Sequence, residues 1–143
     1  MKKLLLILIL AAMAFISRAQ TVQTLADSSF AKHDYVKAYT YYTEALKSDP
    51  QNIAWLRRAG FCLMNCQGQE LNSTRFFADA LKIKPNDPIA NYYLGIVYMD
   101  EAKQSADTKV KDDFKAKAAD YLNKADRYGN ADAKAAIKDL NGI

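Results

Sequence analysis

The pattern of apolar and polar positions repeats at long range. Ala38, Tyr42, Ala45 and Pro50 form a ladder with steps of four, three and five, and Ser73, Phe77, Ala80 and Pro85 repeat those steps 35 residues later. Upstream stands a phased series of small residues, Ala26, Gly60 and Gly95, spaced 34 and then 35 apart. Pro50 to Gly60 and Pro85 to Gly95 are both ten residues, so the extra residue lies between Gly60 and Ser73, in the turn around Asn65–Gln69. A small residue is needed where two helices cross closely, because a bulky side chain would hold the axes apart. Tyr42 and Phe77 supply the large bodies that fill the space between helices. The prolines follow helix ends, where a residue without an N–H cannot continue the hydrogen-bond ladder.

The pattern predicts helices near 21–32, 35–48, 53–65, 69–83, 88–105, 109–128 and 131–141. Asn86-Asp87-Pro88 reads as a helix start, with Asp87 as N-cap and Pro88 at the first helical position. No stretch sustains the period-two alternation of a half-buried strand, so no sheet is expected. The third unit is irregular: its second ladder, Ala118, Leu122 and Ala125, comes about eleven residues late. Val110, Phe114, Ala118 and Leu122 continue an apolar line at steps of four, and Asp107 offers an N-cap, which together predict that both helices of this unit are lengthened. The alternative is a disordered loop, favoured by the polarity of Gln104–Lys111. Gly129 ends the unit as a left-handed C-cap. Ala133, Ala136, Ile137 and Leu140 form one stripe on a last helix, which suits a terminal cap over the final pair.

This pattern resembles the tetratricopeptide-repeat (TPR) family. Asp34-Tyr35-x-x-Ala38-x-x-x-Tyr42-x-x-Ala45-Leu46-x-x-Asp49-Pro50-x-Asn52 is similar to the second helix and exit turn of a TPR motif, and Leu94-Gly95-x-x-Tyr98 to the first helix of the next. The resemblance implies an all-α fold: a right-handed superhelix of antiparallel helix pairs with repeats at about 21–52, 53–87 and 88–130, then a capping helix at 131–141.

The first residues have a different character. Lys2-Lys3 precedes thirteen apolar residues, Leu4 to Ile16, and then Ser17-Arg18-Ala19. A basic start, an apolar run and a small-x-small site are the parts of a secretory signal peptide, here 1–19, leaving 20–143 as the helical domain. Thirteen residues fall short of the roughly 18–20 that span a bilayer. An uncleaved anchor is the alternative, and it would be the chain's sole membrane contact. The expected location is the periplasm or outside the cell. The whole chain has 20 basic and 16 acidic residues, but Lys2, Lys3 and Arg18 leave with the leader, so the remainder carries a net +1. That balance lacks the basic surface by which nucleic-acid binders displace counterions from phosphates.

Candidate chemistry is sparse. Cys62 and Cys66 are four apart, hence on one helix face, either bridged in an oxidising compartment or packed as small buried residues. With one histidine, His33, and no second cysteine pair, no zinc site is expected. No nucleophile motif accompanies His33, and no Gly-rich phosphate loop occurs, so no catalytic, cofactor or metal residues are assigned. His33 stands at a turn position where the TPR family usually has glycine.

What remains is a surface. The resemblance implies that the first helices of the pairs line a concave groove for a protein or peptide partner. By position that face includes Gln23, Asp27 and Phe30, followed by the candidate partner-binding residues Arg57, Phe61, Met64, Tyr92, Ile96 and Met99. Arg57 beside Phe61 and Tyr92 would form a cationic, aromatic patch of the kind enriched at interface hot spots. Gln23 and Asp27 stand where part of a lysine–asparagine carboxylate clamp would be, so that ligand is not implied. The expected function is a non-catalytic protein-interaction module of the bacterial envelope, with a structural subunit of a larger envelope complex as the alternative.

Overall fold

The structure is a computed structural model that describes residues 20–143 and, before them, Leu5 and Ile7. The leader read over 1–19 otherwise lies outside the described residues. The elements are α1 (20–31), α2 (Tyr35–Ala45), α3 (Ile53–Met64), a 3-10 turn (Leu71–Ser73), α4 (Thr74–Ile83), α5 (Pro88–Gln104), α6 (Thr108–Arg127) and α7 (Ala133–Leu140). No strand occurs among the described residues. None of their helices is long and apolar enough to cross a membrane.

Acidic and amide side chains start four of the helices, at Asp87 and Asp107 as the sequence predicts and at Asp34 and Asn52 besides. Asp34, Asn52, Asp87 and Asp107 each accept a hydrogen bond from a backbone N–H of the first turn they precede. Asp107 thereby begins α6 at Thr108, and of the polar stretch 104–111 read alternatively as a loop only 105–107 lie outside the two helices. Two helices end in the same way. Asn130 N donates to Ala125 O and Gly129 N to Asp126 O, with Gly129 at φ 90°; Asp34 N donates to Ser29 O and His33 N to Phe30 O, with His33 at φ 58°. Both are Schellman caps, and the second carries histidine at the position that favours glycine.

The ladder residues form the core. Ala38, Tyr42, Ala45, Ser73, Phe77, Ala80, Ala118, Leu122 and Ala125 are all buried. Two of the large members face a glycine on the paired helix: a β-carbon added at Gly60 would come within 2.7 Å of the Phe77 ring, and one at Gly95 within 2.6 Å of Leu122. Close approach of α3 to α4 and of α5 to α6 therefore depends on those two positions, as the phased spacing implied. The extra residue of the second unit is absorbed in the turn before the 3-10 segment, where Gly68 has φ 76°.

Three details differ from expectation. The second helix stops at Ala45, and 46–48 tighten into a turn through Lys47 N to Glu44 O and Ser48 N to Ala45 O bonds. Residues 69–70 precede the 3-10 turn instead of joining α4. Val110 is exposed, because steps of four drift around a helix of 3.6 residues per turn, so the apolar line rolls off the core at its start. Phe114, one step later, stacks on Tyr98 with ring centroids 6.1 Å apart.

The core has two parts joined by α5. One runs from Ala26 through α2, α3 and α4 to Ala90 and Leu94; the other gathers Met99, Ala118, Leu122, Ala136 and Leu140. The stripe of α7 closes the second part, with Ala133, Ala136 and Leu140 buried.

Candidate functional site

The first helices of the pairs present a groove of about 450 Å³ lined by Phe30 of α1, Ala54, Arg57, Arg58 and Phe61 of α3, and Ile89 and Tyr93 of α5. Phe61 is at its centre. Its ring centroid lies 5.5 Å from Phe30, 5.8 Å from Tyr35 and 5.3 Å from Tyr93. Such tilted and edge-on arrangements are the preferred geometries of aromatic pairs. Tyr93 in turn stacks on Phe77 at 5.4 Å, which fixes the groove wall to the core ladder. Burial, reinforced by neighbouring Tyr92, pushes the Tyr93 hydroxyl above the ordinary phenol range, so it is a neutral donor at physiological pH.

The two arginines differ. Arg57 Nη1 is 3.3 Å from both carboxylate oxygens of Asp87, which also caps α5 and has Lys84 Nζ at 3.8 Å. Arg57 is therefore a tie between α3 and the start of α5, with a quarter of its side chain still open to the groove. Arg58 lays its guanidinium 4.8 Å from the centroid of Phe30, on the ring face. None of the ion pairs among the described residues includes it.

The six sequence-derived candidates are not brought together. Arg57 and Phe61 line the groove. Met64 is half-buried against the first core part. Tyr92 and Ile96 pack against the second core part, and the acidic Asp132 and Asp139 near Tyr92 place it toward α7. Met99 is buried with Leu122 and Leu140, which corrects its reading as a surface residue. The cause is α7, which covers on α5 the face that α3 leaves open. The tyrosine that serves the groove is Tyr93, one position from the residue chosen by sequence. Ile89 and Ala54 were also missed, although they are 35 residues apart and flank the same face.

Of the other positions transferred by resemblance, Phe30 is in the groove, whereas Gln23 and Asp27 line a separate polar hollow with Gln20, Thr21 and Thr24. Asp27 Oδ1 accepts a 2.6 Å hydrogen bond from the Tyr42 hydroxyl. A further hollow of about 490 Å³ between α2 and the α3–α4 turn is lined by Val36, Tyr39, Leu63, Cys66 and Arg75, among others. Cys62 is buried and Cys66 half-buried, both as free thiols. His33 Nδ1 is 2.8 Å from Tyr35 Oη, a pairing with a phenol and not with a carboxylate or a nucleophile. Among the described residues no group of three His, Cys, Asp or Glu side chains could hold a metal ion.

No protein family matches the sequence, and no curated protein does. Solved structures resemble the fold throughout. The TPR domain of Arabidopsis OM64 aligns with a TM-score of 0.71 at 18% identity, covering 88% of this chain and 96% of that one. The Sgt2 TPR domain from Aspergillus fumigatus gives 0.71 at 20% identity, over 87% of this chain and 78% of its own. A Bacteroides ovatus chain assigned a protein-binding role gives 0.65 at 22% identity, over 87% and 72%. The fold is thus a TPR-like α-solenoid of helix pairs. At these identities the likeness is one of architecture.

Proposed function

We propose that this chain is a non-catalytic protein-interaction module that receives a peptide or partner segment along α1, α3 and α5. The observation that carries the reading is the groove itself: Phe30, Phe61 and Tyr93 rings with Ile89, bordered by two arginines, on the first helices of a TPR-like solenoid. Aromatic residues and arginine are the side chains most enriched where binding energy concentrates. Ala54 is exposed within the groove, so Ala54→Trp fills it without entering the core. Captured from its native envelope, a partner should be retained by the wild type and lost by Ala54→Trp, with far-UV circular dichroism unchanged. Equal recovery by both proteins, or no partner for either, rejects the proposal.

We further propose that the module works after export, in the periplasm or outside the cell. The support is the basic start, thirteen-residue apolar run and Ser17-Arg18-Ala19 site at the head of the sequence. Intact mass of the native protein should correspond to a chain beginning at Gln20. A full-length cytoplasmic product would contradict export.

A further inference from the structure

We infer that Cys62 and Cys66 form a reversible dithiol–disulfide switch at the end of α3, and that the switch acts on the groove through Phe61. The link to the groove rests on the groove being the binding site, whereas the switch itself does not. The two thiols are placed unequally. Cys62 is fully buried in the first core part, one residue from the ring at the centre of the groove. Cys66 stands just past the end of α3, half-buried, and lines the hollow shared by Val36, Tyr39, Leu63 and Arg75. An outside disulfide therefore reaches Cys66 first.

The chain between them has already begun to leave α-helical geometry. Asn65 N donates to Cys62 O at 3.1 Å and Cys66 N to Leu63 O at 3.0 Å, both of the tighter 3-10 kind. The β-carbons of residues four apart on a helix lie about 5–6 Å from each other, against about 3.8 Å across a disulfide. Closing the bridge thus takes a movement of about 2 Å within 62–66, the difference between those spacings. The Asn65 side chain joins this turn to the groove, because its Nδ2 donates to Phe61 O at 2.8 Å. Drawing Cys62 toward Cys66 breaks these few exposed bonds, which are the ones that open most readily, and Phe61 moves with them.

The oxidant is a small external disulfide of the glutathione class. The Cys66 thiolate attacks one of its sulfurs and expels the other as a thiolate. Cys62 then attacks the Cys66 sulfur, closes the bridge and expels the second thiolate. Two electrons and two protons pass from the protein to the two released thiols. Burial, and after it Glu70, raises the Cys66 thiol above its ordinary range, and burial holds Cys62 at about 12, so both react slowly in the resting fold. Cys62 becomes a nucleophile as the turn opens. Attack from within the same turn succeeds in openings too brief for an outside reagent to enter. In a reducing compartment the pair stays a dithiol, and after export it closes.

The test exposes the mature protein to excess oxidised glutathione at about pH 8.5, near the ordinary thiol range. Intact mass should fall by two hydrogen atoms, peptide mapping should place the bridge between Cys62 and Cys66, and dithiothreitol should reverse it. Cys62→Ala should stop at a glutathione adduct on Cys66, and Cys66→Ser should not react. On oxidation the amides of 62–66 should exchange about tenfold faster, while those of α6 keep their rate. With 4-fluorophenylalanine placed at Phe61, the fluorine resonance should shift on oxidation and return on reduction. A wild type that stops at the Cys66 adduct, bridges between two copies or does not react overturns the switch. A bridge that forms while the Phe61 resonance stays in place overturns its link to the groove. Neither readout uses a ligand, so failure of the groove as a binding site appears in the Ala54→Trp comparison and leaves these results unchanged.

Discussion

Arg57 Nη1 lies 3.3 Å from each carboxylate oxygen of Asp87, joining the middle of α3 to the first turn of α5 across thirty residues. Only 2% of the Asp87 side chain is exposed, and the same carboxylate caps α5 through Ile89 N and Ala90 N. Asp87 thus serves two structures and Arg57 one. Asp87→Ala is expected to cost about 2–4 kcal/mol, combining a lost cap with a broken half-buried pair. Arg57→Ala should cost less, about 1–2 kcal/mol, because the remaining carboxylate keeps its backbone donors. Urea denaturation of both single variants and the double variant gives the coupling, expected at about 1–2 kcal/mol. Additive losses would show that the two side chains do not act together.

The α5–α6 crossing should be sensitive to one methyl group. A β-carbon at position 95 would lie 2.6 Å from Leu122 Cγ and 3.2 Å from its backbone nitrogen, so the neighbouring helix itself must shift. Gly95→Ala is expected to destabilise by about 2–3 kcal/mol even after the gain in helix propensity. Leu122→Ala alone should cost about 2–5 kcal/mol through its cavity. Combined, they should cost clearly less than their sum, since the added methyl occupies part of the emptied space.

The Schellman cap after α1 predicts opposite signs at equivalent positions. His33 holds φ 58° where a β-carbon is strained, and its ring nitrogen makes one exposed hydrogen bond to Tyr35. His33→Gly should raise stability by about 0.5 kcal/mol, the relief of strain exceeding the greater flexibility of glycine in the unfolded chain. Gly129→Ala, at φ 90°, should lower it by about 1 kcal/mol. Thermal unfolding of the two variants checks the pair. A loss at position 33 would mean that the His33–Tyr35 bond outweighs the strain.

Alkaline pH should unfold the protein through Cys62. Burial, with neighbouring Cys66 adding to it, pushes this thiol from 9.0 up to about 12. The folded state therefore keeps its proton longer than the unfolded chain does. Stability from this group is fully present below about pH 9 and is lost as pH rises toward about 12. The buried Tyr42 hydroxyl, raised first by burial and then by its bond to Asp27, acts with the same sign above about pH 10. Urea midpoints between pH 8 and 11 should fall less steeply for Cys62→Ala than for the wild type, whatever the variant's starting stability. A thiol reagent at pH 8 should modify Cys66 and leave Cys62 untouched until unfolding.

The helix pairs were legible in the sequence because close packing leaves a trace at fixed spacing. A small residue opposite a large one cannot be exchanged freely, and Gly60 with Phe77 and Gly95 with Leu122 keep that signature across two units. Helix starts were legible for the same reason, since Asp87 and Asp107 bond to the backbone beside them. The groove was only half legible. Transfer by position treats each first helix alike, whereas Tyr92, Ile96 and Met99 lie where α7 folds back over α5. A stripe assigned to a cap and a face assigned to a ligand were competing for the same surface, and the local pattern of α5 does not say which one has it. Tyr92 and Tyr93, being adjacent, point about 100° apart around the helix, so an error of one residue moved the aromatic wall from the groove to the cap.

The lengths of α5 and α6, 17 and 20 residues, give the solenoid an uneven resistance to opening. That hairpin shares core with α4 on one side and α7 on the other, while the pair of α1 and α2 has a following pair but no described neighbour before it. In a linear stack stability follows such interfaces, so the first pair frays readily and the long hairpin exchanges its amides last. The groove spans this gradient, with Phe30 at the weak end and Ile89 and Tyr93 at the strong one. An occupant would act as a brace, lending the rigidity of the hairpin to the helices that open first.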